Sequence, residues 1–274
     1  MLIRTISGAC YVAILAAFFL LREFVDTRIF HLLTFFFLVM GTFELTRALK
    51  GRTVKGASVL AIVYSALFVP VYCLGEYLVW KGWGFLFALD LTAVAIIAIS
   101  IISLIKGVDR NEFLWSALLF VYPALFLLTM LLANDLDNGF IALLMAFVVS
   151  PCSDTFAYLV GSLIGGKKLC PKLSPKKTWS GAIGGTLGGI ISGLIVYFIF
   201  TPSVNFFSPV LLFILVGLIA SVANLFGDLF ESFIKRRVGI KDMGKIMPGH
   251  GGVLDRIDGT MFAMVVIYII FLLV

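Results

Sequence analysis

The chain has 274 residues, of which 61% are hydrophobic and only 13% are charged, and its mean hydropathy is +1.12. This apolar fraction exceeds the about 45–50% that is usual for soluble domains and places the chain among integral membrane proteins. The short alternating segments of a membrane barrel are absent, so helices are expected. The formal net charge of +6 is less informative than its distribution between loops, and no nucleic-acid partner is expected.

Nine apolar segments follow one another along the chain, and each approaches the about 20 residues that cross a bilayer as a helix. We therefore predict an all-α integral membrane protein with about nine transmembrane helices, the first of which is retained rather than cleaved. The segments are residues 6–21, 29–46, 57–75, 83–105, 113–133, 138–164, 179–201, 207–234 and 257–273.

The basic residues indicate how these helices are oriented. When the nine helices are threaded through a membrane, one side receives only Arg22, Arg28 and Lys81 of the chain's 21 Lys and Arg residues. Because basic loops are retained in the cytoplasm, this asymmetry predicts a cytoplasmic N-terminus and an external C-terminus.

Polarity divides the chain into two predicted regions. Residues 1–137 form about five helices, and Glu44 and Asp90 lie inside them without an assigned role. Residues 138–274 form about four helices with two cytoplasmic loops, and we interpret this region as catalytic because charged residues and glycines concentrate there.

The sixth segment and the loop after it contain the first candidate site. Ser153 and Asp154 lie inside the segment, where an acidic residue is a functional candidate by default. The loop GKKLCPKLSPKKTWSG then combines five lysines with hydroxyl groups, and an exposed helix start follows. Such a loop can bind a polyphosphate, although it lacks the Walker A pattern and can also serve only as a topology signal. The predicted substrate-binding residues are Ser153, Asp154, Ser174, Lys176, Lys177 and Thr178.

The eighth segment presents one polar helical face. Ser221, Asn224, Asp228, Glu231 and Lys235 recur at helical spacing, and Asp228 lies about 10 Å from the predicted cytoplasmic boundary. A simple Asp–Lys pair that reaches the interface is the alternative to a binding site. We expect Asn224, Lys235 and Arg236 to bind substrate.

The run KDMGKIMPGHGGVLDRID contains the second candidate site. Asp255 and Asp258 are three residues apart at the start of the last helix, where carboxylates also stabilise a helix terminus. Together with Asp228 they supply the oxygen ligands that Mg²⁺ prefers. The glycines of the PGHGG turn allow backbone N–H groups to approach an anion. His250 either takes part in the chemistry or only shapes the turn.

The run from Ser232 to Asp258, S-F-I-K-R-x4-K-D-M-G-x2-M-P-G-H-G-G-V-L-D-R-I-D, resembles the signature of phosphatidate cytidylyltransferases. Met247 replaces the Leu, Ile or Phe that is usual there, which is an apolar exchange. The stretches SDTFAYLVG and LSPKKTWSGAIGG are also similar to segments of that family, so the resemblance covers roughly residues 150–262.

The resemblance implies transfer of CMP from CTP to phosphatidic acid, with CDP-diacylglycerol and pyrophosphate as products. It also implies a divalent cation, normally Mg²⁺, on Asp228 and Asp255, with Asp258 as a further candidate, and a second cation is left open. The catalytic prediction adds Lys241 and His250 to these aspartates, and Arg256 is assigned to substrate binding. We expect the protein to lie in a bacterial inner membrane, with the site facing the cytoplasm. Membrane lipids are expected partners, and a homodimer is left open.

Two other functions fit parts of the sequence. A CTP-dependent lipid kinase would transfer the γ-phosphoryl group to a lipid alcohol instead. A cation transporter would also bury acidic residues, but transporters usually repeat their broken helices in both halves, whereas polarity here is gathered in one half.

Overall fold

The computed structural model describes residues 2–200 and 206–274, with the side chains of residues 2–4 excluded. Within these residues the chain forms nine α-helices, one π-helix and one two-stranded sheet. The helices are α1 (Leu2–Phe24), α2 (Ile29–Ala48), α3 (Ala57–Cys73), the π-helix (Leu74–Val79), α4 (Gly84–Lys106), α5 (Arg110–Asn134), α6 (Gly139–Ile164), α7 (Trp179–Phe200), α8 (Pro209–Val238) and α9 (Leu254–Leu272). The strands are β1 (Lys168–Cys170) and β2 (Ser174–Thr178).

Eight of the described helical segments, α1 to α8, are long and apolar enough to cross a membrane, and α3 continues into the π-helix as one such segment. The helical fold class is therefore confirmed, and the protein is an integral membrane protein. The helix α9 has 19 residues, and its first five include the charged residues Asp255, Arg256 and Asp258. It is not among the eight, so a ninth crossing stays a prediction. The predicted end of the seventh segment, Thr201, lies outside the described residues.

The chain divides into two compact units. The first contains the chain up to Leu131 together with Asp242–Asp255, and the second contains Leu132–Lys241 and Arg256–Val274. The structural division thus groups the segment before α9 with the first helices. The predicted boundary between residues 137 and 138 stays an interpretation of the sequence.

In the first unit, α2 packs against α1 and α3, and α3 packs against α4. Aromatic side chains fill much of this core. Tyr64 makes edge-on ring contacts with Phe68 and Phe120, at centroid distances of 5.5 and 5.4 Å. Its hydroxyl group is satisfied by Thr92 on α4, at 2.8 Å, so the buried phenol leaves no unmade hydrogen bond.

In the second unit, α7 packs closely between α6 and α8 because glycines face both neighbours. A Cβ atom on Gly189 would lie 2.4 Å from the carbonyl oxygen of Gly217, and one on Gly193 would lie 2.2 Å from that of Phe213. Small residues at such crossings let two helix backbones approach within a membrane. This close packing brings polar positions of α6 and α8 to the same cavity.

The lysine-rich loop between α6 and α7 forms a β-hairpin, which the sequence did not predict. The strands β1 and β2 are antiparallel, with Lys168 opposite Thr178 and Cys170 opposite Ser174. The N–H group of Trp179 also donates to the carbonyl oxygen of Lys167, at 3.1 Å. The hairpin therefore fixes several lysines at the start of α7.

Candidate active site

A cavity of about 520 Å³ lies within the second unit. It is bordered by α6, the hairpin, α7 and α8, and its volume falls in the range of small-molecule sites. Seven of the predicted site residues line it, together with Lys168, Ser162, Ser221 and mostly apolar residues. The seven are Ser153, Asp154, Lys176, Lys177, Thr178, Asn224 and Asp228.

Asp154 enters the cavity from α6 and is held by Asn224 of α8. The amide Nδ2 of Asn224 donates to Oδ1 of Asp154 at 2.9 Å. Asn224 is only 1% exposed, and its amide oxygen is buried without a hydrogen-bond partner among the described residues. That oxygen abuts Gly259 of α9, where a Cβ atom would lie only 2.1 Å away. The amide is thus fixed between two helices.

Asp228 enters the same cavity one helical turn beyond Asn224. Its carboxylate forms an ion pair with Lys177 of β2, and the hydroxyl group of Ser232 donates to its other oxygen at 3.4 Å. The side chains of Lys177 and Asp228 are 22% and 32% exposed, so the pair borders the cavity rather than the interior. A lysine and a carboxylate therefore meet where a charged ligand can reach both.

A second acidic group lies beside Asp228. Asp258 of α9 interacts with Glu231 of α8 through their side chains and accepts a hydrogen bond from the N–H group of Gly259 at 2.7 Å. Glu231 is fully buried and forms an ion pair with Lys235 at 3.6 Å. The charge of Lys235 is therefore paired with the carboxylate of Glu231. Helical spacing places Glu231 on the polar face of α8, but Glu231 is not among the predicted site residues.

Thr178 has a structural role at the edge of the cavity. Its hydroxyl oxygen accepts a hydrogen bond from the N–H group of Gly181 at 3.0 Å, which caps the first turn of α7. Gly161 and Gly181 approach closely around it, since a Cβ atom on Gly161 would lie 2.9 Å from that oxygen. Thr178 is 4% exposed and so contributes to the wall mainly by fixing the helix start.

The oxygen groups around the cavity fit a hard divalent cation in their chemistry. Asp154, Asp228 and Asp258 are close enough to repel one another electrostatically. The buried amide oxygen of Asn224 is a further neutral oxygen donor. Carboxylate and amide oxygens are ligands that Mg²⁺ accepts. Among the described residues, however, no group of three or more acidic, His or Cys side chains is already arranged as a metal centre.

The signature segment before α9 is organised within the first unit. Met247, Pro248, Gly249 and His250 form a turn in which the N–H group of His250 donates to the carbonyl oxygen of Met247 at 2.9 Å. Proline at the second position and a φ angle of +77° at Gly249 are typical of a type II turn. The turn therefore depends on glycine for its backbone conformation.

Asp255 joins two parts of this segment through hydrogen bonds to its side chain. Its Oδ2 atom accepts hydrogen bonds from the N–H groups of Met243, at 2.9 Å, and Gly252, at 2.8 Å. The N–H groups of Val253 and Leu254 donate to Glu44. Within the PGHGG turn, the N–H groups of Gly252 and His250 are thus directed at protein acceptors, and the anion-binding role of the turn stays a prediction.

His250 contacts α1 rather than standing alone in its turn. Its Nδ1 atom lies 2.7 Å from the hydroxyl oxygen of Ser7, which also donates to the carbonyl oxygen of Pro248 at 3.0 Å. A serine hydroxyl has one hydrogen, so a hydroxyl that donates to Pro248 accepts from Nδ1 of His250. These contacts support a turn-shaping role, and a chemical role for His250 stays a prediction.

The remaining predicted residues do not line the cavity. Arg236 donates to the carbonyl oxygens of Leu173, at 3.3 Å, and Ile240, at 3.2 Å, and so holds the hairpin against the end of α8. Ser174 begins β2 and is half-buried, whereas Lys241 and Arg256 are exposed. Their predicted functional roles stay predictions.

The fold and the cavity together define a polytopic helical membrane protein in which carboxylates and lysines line one cavity. The sequence model of the Cytidylyltransferase family matches residues 2–274. The chain belongs to this family, which confirms the resemblance seen in the signature.

Similar proteins include the phosphatidate cytidylyltransferases of Brucella abortus biovar 1 (strain 9-941) and Staphylococcus haemolyticus (strain JCSC1435). The first is 40% identical over 139 residues, which are 51% of this chain and 50% of the relative. The second is 43% identical over 128 residues, which are 47% of this chain and 48% of the relative. The phosphatidate cytidylyltransferase of Helicobacter pylori (strain ATCC 700392 / 26695) is 36% identical over 126 residues, 46% of this chain and 45% of the relative. The matched part spans about half the length of these curated relatives.

Proposed function

We propose that the protein is a phosphatidate cytidylyltransferase, which transfers CMP from CTP to phosphatidic acid and releases pyrophosphate. One observation carries the proposal beyond family membership: lysines of the hairpin and carboxylates of α6 and α8 line one cavity in a membrane-embedded unit. Such a cavity can receive a polyphosphate from water and a lipid phosphate from the bilayer.

The cations of the hairpin are suited to phosphate groups. Lys168 and Lys176 are exposed at the cavity, and Lys177 is half-buried against Asp228. Positively charged groups that are already in place stabilise the charge that develops on phosphate oxygens during transfer. The hairpin and the cap at Thr178 fix the backbone that carries these lysines.

We propose Mg²⁺ as the cofactor, with Asp228 and Asp258 as its protein ligands and Asp255 as a third candidate. When bound, the ion supplies charge neutralisation at phosphate oxygens. Asn224 holds Asp154 in place nearby and so keeps a further carboxylate directed into the cavity. Asp258 interacts through its side chain with Glu231, which forms an ion pair with Lys235.

The reaction is a substitution at phosphorus. An oxygen of the phosphatidate phosphate forms a bond to the α-phosphorus of CTP, and the bond from that phosphorus to the oxygen bridging the β-phosphorus breaks. Pyrophosphate leaves with the electron pair of the broken bond. A phosphate monoester loses its second proton at about pH 6, so its oxygens are nucleophilic without a strong general base. Catalysis then rests on positioning and on the lysines.

We place the protein in a bacterial inner membrane with the cavity open to the cytoplasm. The distribution of basic residues and the solubility of CTP support this orientation. Labelling of single cysteines introduced at Lys172 and at Lys81 in intact cells tests it. A membrane-impermeant maleimide should label the cysteine at position 81 but not the cysteine at position 172. The reverse pattern would contradict the proposed orientation.

Product analysis tests the reaction itself. Purified protein in detergent should incorporate label into lipid from CTP labelled at the α-phosphorus. Label from the γ-phosphorus should appear in pyrophosphate only. Incorporation of the γ-label into lipid would instead establish a CTP-dependent lipid kinase, and no incorporation from either position would refute both functions.

A further inference from the structure

Glu44 is a buried acidic residue near the end of α2 that the proposed reaction does not use. It lies inside a membrane-spanning helix and is 1% exposed. An ionisable group in such a position is costly unless specific partners satisfy it, and for that reason it usually marks a function. Its partners are more than 200 positions away in the sequence.

Both carboxylate oxygens of Glu44 accept backbone hydrogen bonds from the signature segment. The N–H group of Val253 donates to Oε1 at 3.0 Å, and that of Leu254 donates to Oε2 at 2.9 Å. Leu254 is the first residue of α9, and the first N–H groups of a helix have no partner within it. Glu44 therefore serves as an external cap of α9 and suits the positive end of its dipole.

The same carboxylate explains two glycines of the signature. A Cβ atom on Gly244 would lie 2.1 Å from Oε1 of Glu44, and one on Gly252 would lie 2.4 Å from both carboxylate oxygens. Neither glycine has a positive φ angle among the residues described, so their backbones do not require glycine. Glycine is required at both positions because the carboxylate of Glu44 occupies the space that a Cβ atom would need.

We infer that Glu44 is the positioning residue of the signature segment: it fixes the backbone at the start of α9, where Asp255 lies. This inference rests on the proposed function for its catalytic consequence, but not for its structural one. Asp255 ties Met243 to Gly252 within the same segment, so Glu44 and Asp255 hold adjacent N–H groups of one loop.

The first test compares Glu44→Gln with Glu76→Gln. Glu76 is a matched control, since it is 7% exposed and also accepts backbone hydrogen bonds, from Gly82 and Gly84, away from the signature. In hydrogen–deuterium exchange, Glu44→Gln should speed exchange of the amides of Val253 and Leu254 by about tenfold or more, because one charged acceptor is lost. Glu76→Gln should leave the exchange rates of the Val253 and Leu254 amides unchanged. Unchanged exchange in Glu44→Gln would overturn the inference.

The second test uses the glycine contact. Gly252→Ala should speed amide exchange at Val253 and Leu254 when Glu44 is present. The effect should be much smaller in the Glu44→Ala background, because the carboxylate that the new methyl group contacts is absent. Such suppression is a coupling that independent sites do not show. Equal damage in both backgrounds would refute the contact. Gly252→Ala alone leaves Glu44 intact, so wild-type exchange at Val253 and Leu254 in this single variant would refute the contact even when a Glu44 variant folds poorly.

Kinetics connect the segment to the reaction. Glu44→Gln should lower kcat for CDP-lipid formation by about tenfold or more with little change in KM for CTP, as expected for misplaced catalytic groups. Loss of activity without faster local exchange would contradict a positioning role. A wild-type protein that forms no CDP-lipid would refute the proposed function, and the exchange experiment would still decide the role of Glu44.

Discussion

Asn224 on α8 donates a side-chain hydrogen bond to Asp154 on α6, with 2.9 Å between Nδ2 and Oδ1. The two residues are 70 positions apart, and the bond joins two helices across the wall of the cavity. An amide that is itself buried fixes the direction of the carboxylate. The geometry of the cavity thus depends on a residue that need not touch a substrate.

We predict that Asn224→Leu lowers kcat/KM for CDP-lipid formation by about tenfold to hundredfold. The change keeps the side-chain size but removes a hydrogen bond to a charged group, which contributes about 1.5–3 kcal/mol. Ser192→Ala is the control, since Ser192 is buried on α7 and, among the described residues, donates only to the carbonyl oxygen of Gly188 in its own helix. Equal losses in both variants would show a general packing effect instead.

Lys177 is predicted to be the most important lysine of the hairpin, because it alone among the described lysines pairs with Asp228. Lys177→Met keeps the apolar stem and removes the charge. It should lower kcat/KM by about hundredfold or more, as removal of a group that stabilises developing charge does.

Lys172→Met is the control for Lys177, since Lys172 lies in the turn between β1 and β2, is exposed and does not line the cavity. Initial rates at several CTP concentrations measure the difference. A Lys177→Met enzyme with wild-type kcat/KM would remove this lysine from the site.

The nine described α-helices were predictable because long apolar runs mark them in the sequence, and α2 begins at Ile29 as expected. The polar face of α8 was also predictable from helical spacing, so Asn224 and Asp228 were found. Both lie on the cavity in the structure. Periodicity within one helix was sufficient for these residues.

Contacts between distant segments were not predictable in the same way. No local pattern indicates that Glu44 reaches Val253, which is 209 positions later, or that Lys177 pairs with Asp228. The hairpin was missed because two short strands rich in lysine and proline lack an apolar alternation. Tertiary packing, rather than propensity, decides these features.

Mg²⁺ is predicted to stabilise the folded protein through Asp228. A ligand at about 100 times its Kd adds about 2.7 kcal/mol to the free energy of unfolding. Thermal unfolding in detergent, after chelation and with Mg²⁺ added back, should show a rise in Tm for the wild type and little for Asp228→Asn. Chelation should also abolish CDP-lipid formation.

Asp242→Asn is the control for the cation experiment, because Asp242 is an exposed acid outside the cavity. It should retain the full Mg²⁺ response. A Tm rise in Asp228→Asn as large as in the wild type would exclude Asp228 as a ligand, and the same comparison applies to Asp258→Asn.

The contact between α7 and α8 is predicted to be intolerant of a single methyl group. A Cβ atom on Gly217 would lie 2.2 Å from the carbonyl oxygen of Gly189, so Gly217→Ala must separate the helices. Overpacking of this kind costs about 1–3 kcal/mol, or several degrees of Tm. Gly8→Ala on α1 is the control, since its nearest atom, on His250, lies at an ordinary 3.4 Å. Since α7 and α8 both border the cavity, Gly217→Ala should also reduce activity, and an unchanged Tm would contradict the close packing.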